Sequence, residues 1–285
     1  MDNLKIGIFE KDESETTMKY GYYYKALFSV PFASEKRYVR VWLPEDYDFS
    51  GSKRYPVIYF SDGQNLVNKY LTAFGDWHLD IAAHKLYAEK GISFIAVGVD
   101  SPRDGDTREN ELNPPYVTDR GDIKHPVGDV FTDFLAGPLK DVIDNTFYTL
   151  KDKRNTAIGG SSMGGIMAFY GGIRHKDTFG FALCFSPAFM LYSKRMWQHL
   201  LDEFNLTTAK DNKFYFFVGG RKFERLFKKR TFMTYDYMVS LGFDQDHIKL
   251  SHNPKLIHHE ESWFLYLDDA LSFWLGGTKW NTNIY

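Results

Sequence analysis

Short apolar segments alternate with longer amphipathic segments along most of the chain. Residues 56–60 read Pro-Val-Ile-Tyr-Phe and residues 214–218 read Phe-Tyr-Phe-Phe-Val, without a polar side chain that would mark an exposed face. Segments that are apolar throughout are typical of strands in a parallel sheet that is covered on both faces. We therefore predict eight strands, the first two as an antiparallel pair, at residues 22–30, 38–43, 56–60, 93–99, 155–159, 179–185, 214–218 and 248–251.

Helical patterns lie between these segments. They occupy residues 77–90, 130–145, 163–174, 194–204, 232–241 and 263–274. Strands that alternate with helices of this length are typical of an α/β domain, and no repeat or linker-like stretch interrupts the alternation. We predict one domain with a mainly parallel eight-stranded sheet flanked by helices on both faces. It spans residues 21–276, after an N-terminal extension at 1–20 and before a C-terminal tail at 277–285.

Two insertions interrupt the alternation, at residues 101–128 and 186–204. Long insertions after the carboxyl ends of strands are where α/β proteins build binding sites. Two interpretations stay open for the larger side chains in them: they line an acyl or aromatic pocket, or they pack the loops. These candidates for substrate binding are Arg108, Glu111, Tyr116, Phe189, Tyr192 and Trp197.

The charge composition limits the kinds of binding partner that the chain is expected to have. Among 285 residues, 35 Lys and Arg stand against 37 Asp and Glu, which gives a formal net charge of −2. This balance provides no overall field for nucleic acid or for an anionic membrane, so we expect neither as a partner. Aromatic residues make up 18% of the chain. That content fits either a heavily packed core or a pocket for flat ligands.

The single cysteine and the N-terminal residues indicate the cellular compartment in which the protein is expected. Cys184 alone excludes an internal disulfide framework and a cysteine-based zinc site. Acidic residues stand near the start, where a signal peptide needs basic and then apolar residues, and no window approaches the length of a membrane span. We therefore expect a cytoplasmic protein, and the sequence leaves its oligomeric state open.

The segment from Ile158 to Gly165 carries the strongest chemical signal. It contains a G-x-S-x-G pattern, Gly160-Ser-Ser-Met-Gly164, with Ser162 at its centre, after a predicted strand and before a predicted helix. A serine on such a tight turn projects its hydroxyl from the sheet edge, and the glycines leave room for the neighbouring strand and helix. The pattern predicts a nucleophilic serine. The alternative is a glycine-rich turn that binds phosphate or packs closely.

A nucleophilic serine needs a general base and an acid that orients it, in the chain order serine, acid, histidine. His258 and His259 follow the last predicted strand and precede the last helix, where the base is expected. Glu224 follows the preceding strand and is the candidate acid. Asp244 and Asp246, beyond the next helix, are the alternatives.

Two backbone N–H groups are candidates for an oxyanion hole. Met163 opens the helix after the serine, so its N–H points to where an oxyanion would form. Gln64 follows an early strand in the sequence Ser61-Asp-Gly-Gln64, where the glycine lets the backbone approach a substrate carbonyl. The alternative for this second segment is an ordinary Asp-Gly turn.

Together these residues resemble the putative-esterase branch of the α/β-hydrolases. That branch includes esterase D, feruloyl and acetyl-xylan esterases, enterochelin-type siderophore esterases and mycolyltransferases. The final stretch is similar to the family's His-Asn-Glu-x-x-Trp, whose first position selects His258 as the base. The resemblance runs from about residue 22 to residue 274, with landmarks at 38–47, 55–65, Gly160-Ser-Ser-Met-Gly-Gly165, Phe185-Ser-Pro-Ala-Phe189 and His258-His-Glu-Glu-Ser-Trp263.

The resemblance implies the α/β-hydrolase fold and a serine carboxylesterase with the triad Ser162, Glu224 and His258. It implies an acyl-enzyme, no metal and no cofactor. The favoured substrates are small aryl or carbohydrate esters of feruloyl or acetyl type, or short-chain esters. Alternatives are a siderophore esterase, an S-formylglutathione-type thioesterase, an acyltransferase or a noncatalytic binding protein. Two departures stand out, since three residues separate Gly220 from Glu224 and a histidine replaces the family's asparagine at position 259.

Overall fold

A computed structural model describes residues 5–72, 74–102, 104–116, 123 and 125–276 of the chain. Within these residues ten strands form a single sheet. The strands are β1 (Lys5–Ile6), β2 (Phe9–Lys11), β3 (Tyr22–Phe28), β4 (Arg37–Leu43), β5 (Val57–Ser61), β6 (Ile95–Val99), β7 (Thr156–Ser161), β8 (Phe181–Phe185), β9 (Lys213–Gly219) and β10 (Ile248–Asn253).

The strand order from one edge to the other is β1-β2-β3-β4-β6-β5-β7-β8-β9-β10. The pairs from β1 to β4, and the pair of β4 with β6, are antiparallel, whereas all pairs from β6 to β10 are parallel. The predicted mainly parallel sheet is therefore confirmed, but its count of eight strands is corrected to ten. The two added strands lie in the predicted extension 1–20. They are short and bury Phe9 alone, so they leave no apolar pattern.

Side chains of the central strands pack against two separate halves of the core. In β5, Val57 and Tyr59 contact one apolar cluster while Ile58 and Phe60 contact the other. Successive side chains of a strand point to opposite faces of the sheet. An unbroken apolar run is therefore what a strand covered on both faces requires.

Helices cover both faces. Helices α1 and α8 pack on one face, and α3, α5, α6 and α7 pack on the other. No described helix is long and apolar enough to cross a membrane. The helices are α1 (Leu79–Lys90), α2 (Gly105–Glu111), α3 (Gly128–Phe134), α4 (Lys140–Thr146), α5 (Met163–Arg174), α6 (Lys194–Glu203), α7 (Arg225–Ser240) and α8 (Glu260–Leu275).

The structure differs from the predicted helices in three places. The predicted helix 130–145 consists of α3, a π-helical turn at Leu135–Leu139 and α4. Helix α2 was not predicted and lies in the first insertion, of which residues 117–122 lie outside the described residues, as does the predicted tail 277–285. Helix α7 begins seven residues before its predicted start, because its first turns are charged and bury Phe227 as their one large apolar residue.

Candidate active site

The parallel strands β5, β6, β7, β9 and β10 end at the same edge of the sheet, and the loops that follow them contribute to the wall of a cavity of about 1120 Å³. Its wall includes Ser162, His258, Gln64 and Arg108. Open α/β sheets bind ligands at this edge. Four of the residues singled out in the sequence therefore meet at one cavity.

Ser162 occupies the sharp turn between β7 and α5. Its φ of 58° and ψ of −118° lie in a region that residues with a side chain rarely adopt. Its N–H donates to the Phe185 carbonyl and its own carbonyl accepts from the Ala188 N–H, each at 2.9 Å. A Cβ on Gly160 would lie 2.4 Å from the Gly164 carbonyl oxygen. The turn can close only with glycine at Gly160, as the G-x-S-x-G pattern predicts.

His258 and Glu224 form a close pair. The His258 Nδ1 lies 2.6 Å from the Glu224 Oε2, and the Glu224 side chain is fully buried. The other carboxylate oxygen, Oε1, accepts from the Gly219 N–H at 2.9 Å and from the Ser186 hydroxyl. The imidazole stacks on the Phe227 ring at a centroid distance of 4.3 Å. With Nδ1 engaged by the carboxylate, Nε2 is the nitrogen available to exchange a proton in the cavity.

Ser186 joins this site although sequence reasoning assigned it no role. It follows the last residue of β8 with a φ of 42°, and it is fully buried. Its hydroxyl donates to Glu224 and accepts from the Trp263 indole N–H at 2.9 Å. The only sequence signal was its place in the Phe185-Ser-Pro landmark at a strand end. One serine thereby links Glu224 to the first turns of α8.

The two candidate oxyanion donors lie at the starts of helical turns. Met163 is the first residue of α5, and Gln64 belongs to a 3₁₀ turn at Gly63–Asn65. The first N–H groups of such turns have no partner within the helix. A Cβ at position 63 would lie 2.5 Å from the Gly98 carbonyl carbon, so this turn needs its glycine to pack against β6.

Arg108 fixes the turn that carries Gln64. Its Nε and Nη2 donate to the two oxygens of Asp62, each at 2.7 Å. Burial acts to raise the pKa of Asp62. Arg108 and hydrogen bonds from the Ser101 and Gln64 side chains outweigh burial and hold this pKa below its usual range. Arg108 thus lies in the cavity wall, as one interpretation of the insertion expected, with much of its charge engaged by Asp62.

Two further arginines belong to the same wall. Arg37 donates to Glu111 at 2.5 Å, and Arg40 binds both oxygens of Asp100 as well as Asp12 from the N-terminal segment. Glu111 stands behind Arg37 and is itself buried, so its predicted contact with substrate is replaced by an ion pair. Burial raises the pKa of Asp100 to about 6, although Arg40 acts to lower it.

Of the four aromatic residues predicted to bind substrate, three belong to the core and Tyr116 packs against it from the surface. Phe189 and Trp197 are fully buried and stack on each other at a centroid distance of 4.4 Å, and Tyr192 is also buried. Tyr116 packs against Phe204. The second insertion folds back onto α5, so its aromatic side chains cover the sheet and not the cavity. This corrects the interpretation that they line a pocket.

Other aromatic residues line the cavity. Phe74 is 74% exposed, and Tyr70, Phe223 and Tyr38 are also exposed there. Phe223 packs edge-on against the His258 imidazole at a centroid distance of 5.6 Å. These four residues lie outside both insertions. They nevertheless share the carboxyl edge of the sheet. Their sequence surroundings gave no signal, because Tyr38 lies within strand β4 and the segments after β5 and β9 were not singled out as insertions.

The alternative acids and base take other roles. Asp244 is exposed and pairs with His247 at 2.7 Å. His259 is the N-cap of α8, where its Nδ1 accepts from the Glu261 N–H at 3.2 Å. A histidine at this position can cap a helix much as an asparagine does, which accounts for one departure from the family's pattern.

The chain is similar in sequence to one protein family and in structure to several solved proteins. The family model described as "Putative esterase" matches residues 32–234. A ferulic acid esterase has a TM-score of 0.67 at 18% identity, covering 90% of this chain and 98% of that one. The BES protein from Bacillus cereus has a TM-score of 0.69 at 19% identity, covering 92% and 97%.

A third similar structure is the enterobactin esterase FES from Shigella flexneri, with a TM-score of 0.65 at 16% identity. The match covers 92% of this chain and 61% of that one. No curated protein sequence matches the chain significantly. At these identities the three structures show a shared α/β-hydrolase fold and no more.

Proposed function

Because the chain belongs to the putative esterase family, whose fold is that of the α/β-hydrolases, we propose that it hydrolyses carboxylic esters through an acyl-enzyme on Ser162. One observation carries the proposal. Ser162 occupies a strained turn in the wall of the same cavity as His258, and His258 is held by the buried Glu224 at 2.6 Å. This arrangement contains a nucleophile, a base and an orienting acid.

The reaction begins when the His258 Nε2 takes the proton of the Ser162 hydroxyl. The serine oxygen attacks the ester carbonyl and forms a tetrahedral intermediate. Glu224 keeps the imidazole in the required tautomer and stabilises the imidazolium. The imidazolium then protonates the leaving alcohol, and water repeats the sequence on the acyl-enzyme to release the acid.

Two backbone N–H groups stabilise the intermediate. Gln64 and Met163 donate to the oxyanion, an effect of about 3 kcal/mol for one donor in comparable sites. The Arg108–Asp62 pair holds the turn that carries Gln64. Arg108 is therefore a positioning residue, since it acts on the oxyanion through another residue.

The substrates that we favour are aryl or carbohydrate esters of feruloyl or acetyl type, followed by short-chain esters. A cavity of about 1120 Å³ is larger than an acetyl group needs, and the exposed rings of Tyr70, Phe74 and Phe223 supply flat apolar surface. A siderophore ester is the second candidate, since the enterobactin esterase and two siderophore hydrolases from Aspergillus nidulans share the fold.

The test uses the Ser162→Ala variant. Turnover of 4-nitrophenyl acetate should be abolished while the far-ultraviolet circular dichroism spectrum is unchanged, and a fluorophosphonate should label the wild type and not the variant. A variant that retains near-normal turnover would refute the assignment. A panel of hydroxycinnamate, acetylated-sugar, short-chain, catecholate and glutathione thioester substrates then ranks the acyl groups.

A further inference from the structure

The first turns of α7 and the turn before them carry a concentrated positive charge. Residues 221–230 contain six basic side chains and one acid, Glu224, which gives the segment a formal charge of +5. The whole chain carries −2, so the other residues together carry −7. We call the six side chains the α7 basic patch: Arg221, Lys222, Arg225, Lys228, Lys229 and Arg230.

The charge of the patch is not compensated by neighbours. Glu224 is buried against the catalytic histidine, and in the part of the chain that the structure describes none of the six basic side chains forms an ion pair. Five of the six are exposed, and Arg230 is partly buried. By contrast, the three arginines of the cavity wall are each paired with a carboxylate.

A groove of about 690 Å³ lies between α6 and α7 within this patch. Its wall contains Lys194, Arg225, Lys228, Lys229 and Arg230, with Asp236 as its one carboxylate. The Arg230 Nε is buried and has no hydrogen-bond partner among the described residues. The groove therefore has the charge and the donors for an anionic group.

The patch is continuous with the active site. The 3₁₀ turn at Lys222–Glu224 carries a patch residue, a cavity residue and the catalytic acid in succession. Phe223, the middle one, lines the cavity and packs against the His258 ring. Arg225 follows directly and lines the groove. The cavity and the groove therefore adjoin the same short segment, the turn at Lys222–Glu224 and the start of α7.

We propose that the α7 basic patch binds the anionic, non-reacting part of the ester substrate, so that the enzyme prefers esters whose alcohol portion carries several carboxylate or sulfate groups. The inference rests on the proposed ester hydrolysis and specifies its substrate class. Charge complementarity over an unpaired patch raises the local concentration of an anion and its rate of association. A groove lined by five basic side chains fits discrete oxyanions better than a flat lipid surface does.

The first experiment compares two substrates with the same acetyl ester, an acetylated oligogalacturonate and a neutral acetylated xylo-oligosaccharide. The readout is the ratio of their kcat/KM values. In the Lys228→Glu/Lys229→Glu variant this ratio should fall about tenfold at low ionic strength, and the loss should shrink to about twofold near 0.5 M salt. An unchanged ratio would overturn the proposal.

The matched control is the Arg54→Glu/Lys151→Glu variant. These residues are exposed and precede β5 and β7, at the opposite edge of the sheet, and the change in charge is the same. Measured near 0.15 M salt for both variants, the ratio for this control should stay within about twofold of the wild type, because charges separated by more than about 8 Å are then largely screened. An equal fall in this control would show a general effect of net charge and would overturn the proposal.

The second experiment separates the groove from the chemistry. Calorimetry with the Ser162→Ala protein and unacetylated oligogalacturonate should show binding that the Lys228→Glu/Lys229→Glu changes weaken about tenfold, whichever acyl group the enzyme accepts. If the oligogalacturonate does not bind, or if only phosphatidylserine vesicles do, the patch does not serve the substrate. Retained turnover in Ser162→Ala would instead refute the proposed function. The binding measurement does not depend on turnover, so the two failures can be told apart.

Discussion

Replacing Ser186 with alanine should destabilise the protein and slow the reaction together. Its hydroxyl lies between the Glu224 carboxylate and the Trp263 indole N–H, and the residue is fully buried, so water cannot take its place. The change removes a hydrogen bond to a charged group and leaves a buried N–H without an acceptor. Each loss is worth about 1–3 kcal/mol, so we expect the free energy of unfolding to fall by about 3–5 kcal/mol.

The effect on catalysis follows from what remains. Glu224 keeps its bonds from the Gly219 N–H and to His258, so the imidazole stays bound but is held less firmly. We expect kcat to fall about tenfold, well short of the roughly 10⁴-fold loss that removal of the orienting charge causes in comparable triads. The KM for a small ester should change little. Urea denaturation and steady-state kinetics with a 4-nitrophenyl ester measure the two effects.

Trp263→Phe is the matched control. It removes the same indole N–H but leaves Ser186 to donate to Glu224. Stability should fall, while kcat should stay within about threefold of the wild type. If both variants lower kcat equally, the serine acts only through packing. If Ser186→Ala has normal stability and normal kcat, the three-residue link has no role.

Three further outcomes are expected. Gly160→Ala should lower the free energy of unfolding by about 2 kcal/mol or more in urea denaturation, because its Cβ would lie 2.4 Å from a backbone carbonyl oxygen; normal stability would refute this. The pKa of Asp100 is raised to about 6 by burial, so its contribution to stability is present below pH 4 and is lost as pH rises towards 6. Asp100→Asn should flatten that part of the curve of unfolding free energy against pH, and an unchanged slope would contradict it. Phe223→Ala should lower kcat/KM about fivefold for aryl esters and at most twofold for acetyl esters; equal losses would mean that the ring supports the histidine and not the acyl group.

Much of the fold could be predicted because its local patterns are unambiguous. An apolar run such as Val57–Ser61 has few alternatives to a strand covered on both faces. The turn at Ser162 was equally visible, since glycines at fixed spacing reflect a steric demand of the backbone itself. Helix α7 was placed too late because charged first turns carry no amphipathic signal, and the same charges form the basic patch.

The rest of the site depends on contacts between distant residues. Asp62 pairs with Arg108 across 46 positions and Arg37 with Glu111 across 74. No local pattern encodes such pairings. Composition also cannot say which face of a loop an aromatic residue occupies, so Trp197 was expected near the substrate and lies in the core. Phe223, in a short turn, is the ring beside His258.

Three neighbouring strands end on a residue with left-handed backbone: Asp62 after β5, Ser162 after β7 and Ser186 after β8. Each lies at the carboxyl edge of the sheet, where the cavity is, and each has a conformation that costs a residue with a side chain of order 1 kcal/mol or more. At this edge the chain therefore keeps residues with side chains in strained conformations, which lowers the stability of the fold. Ser162→Gly should give an inactive protein that is more stable than the wild type, and attempts to raise the melting temperature of the active enzyme should leave this edge untouched.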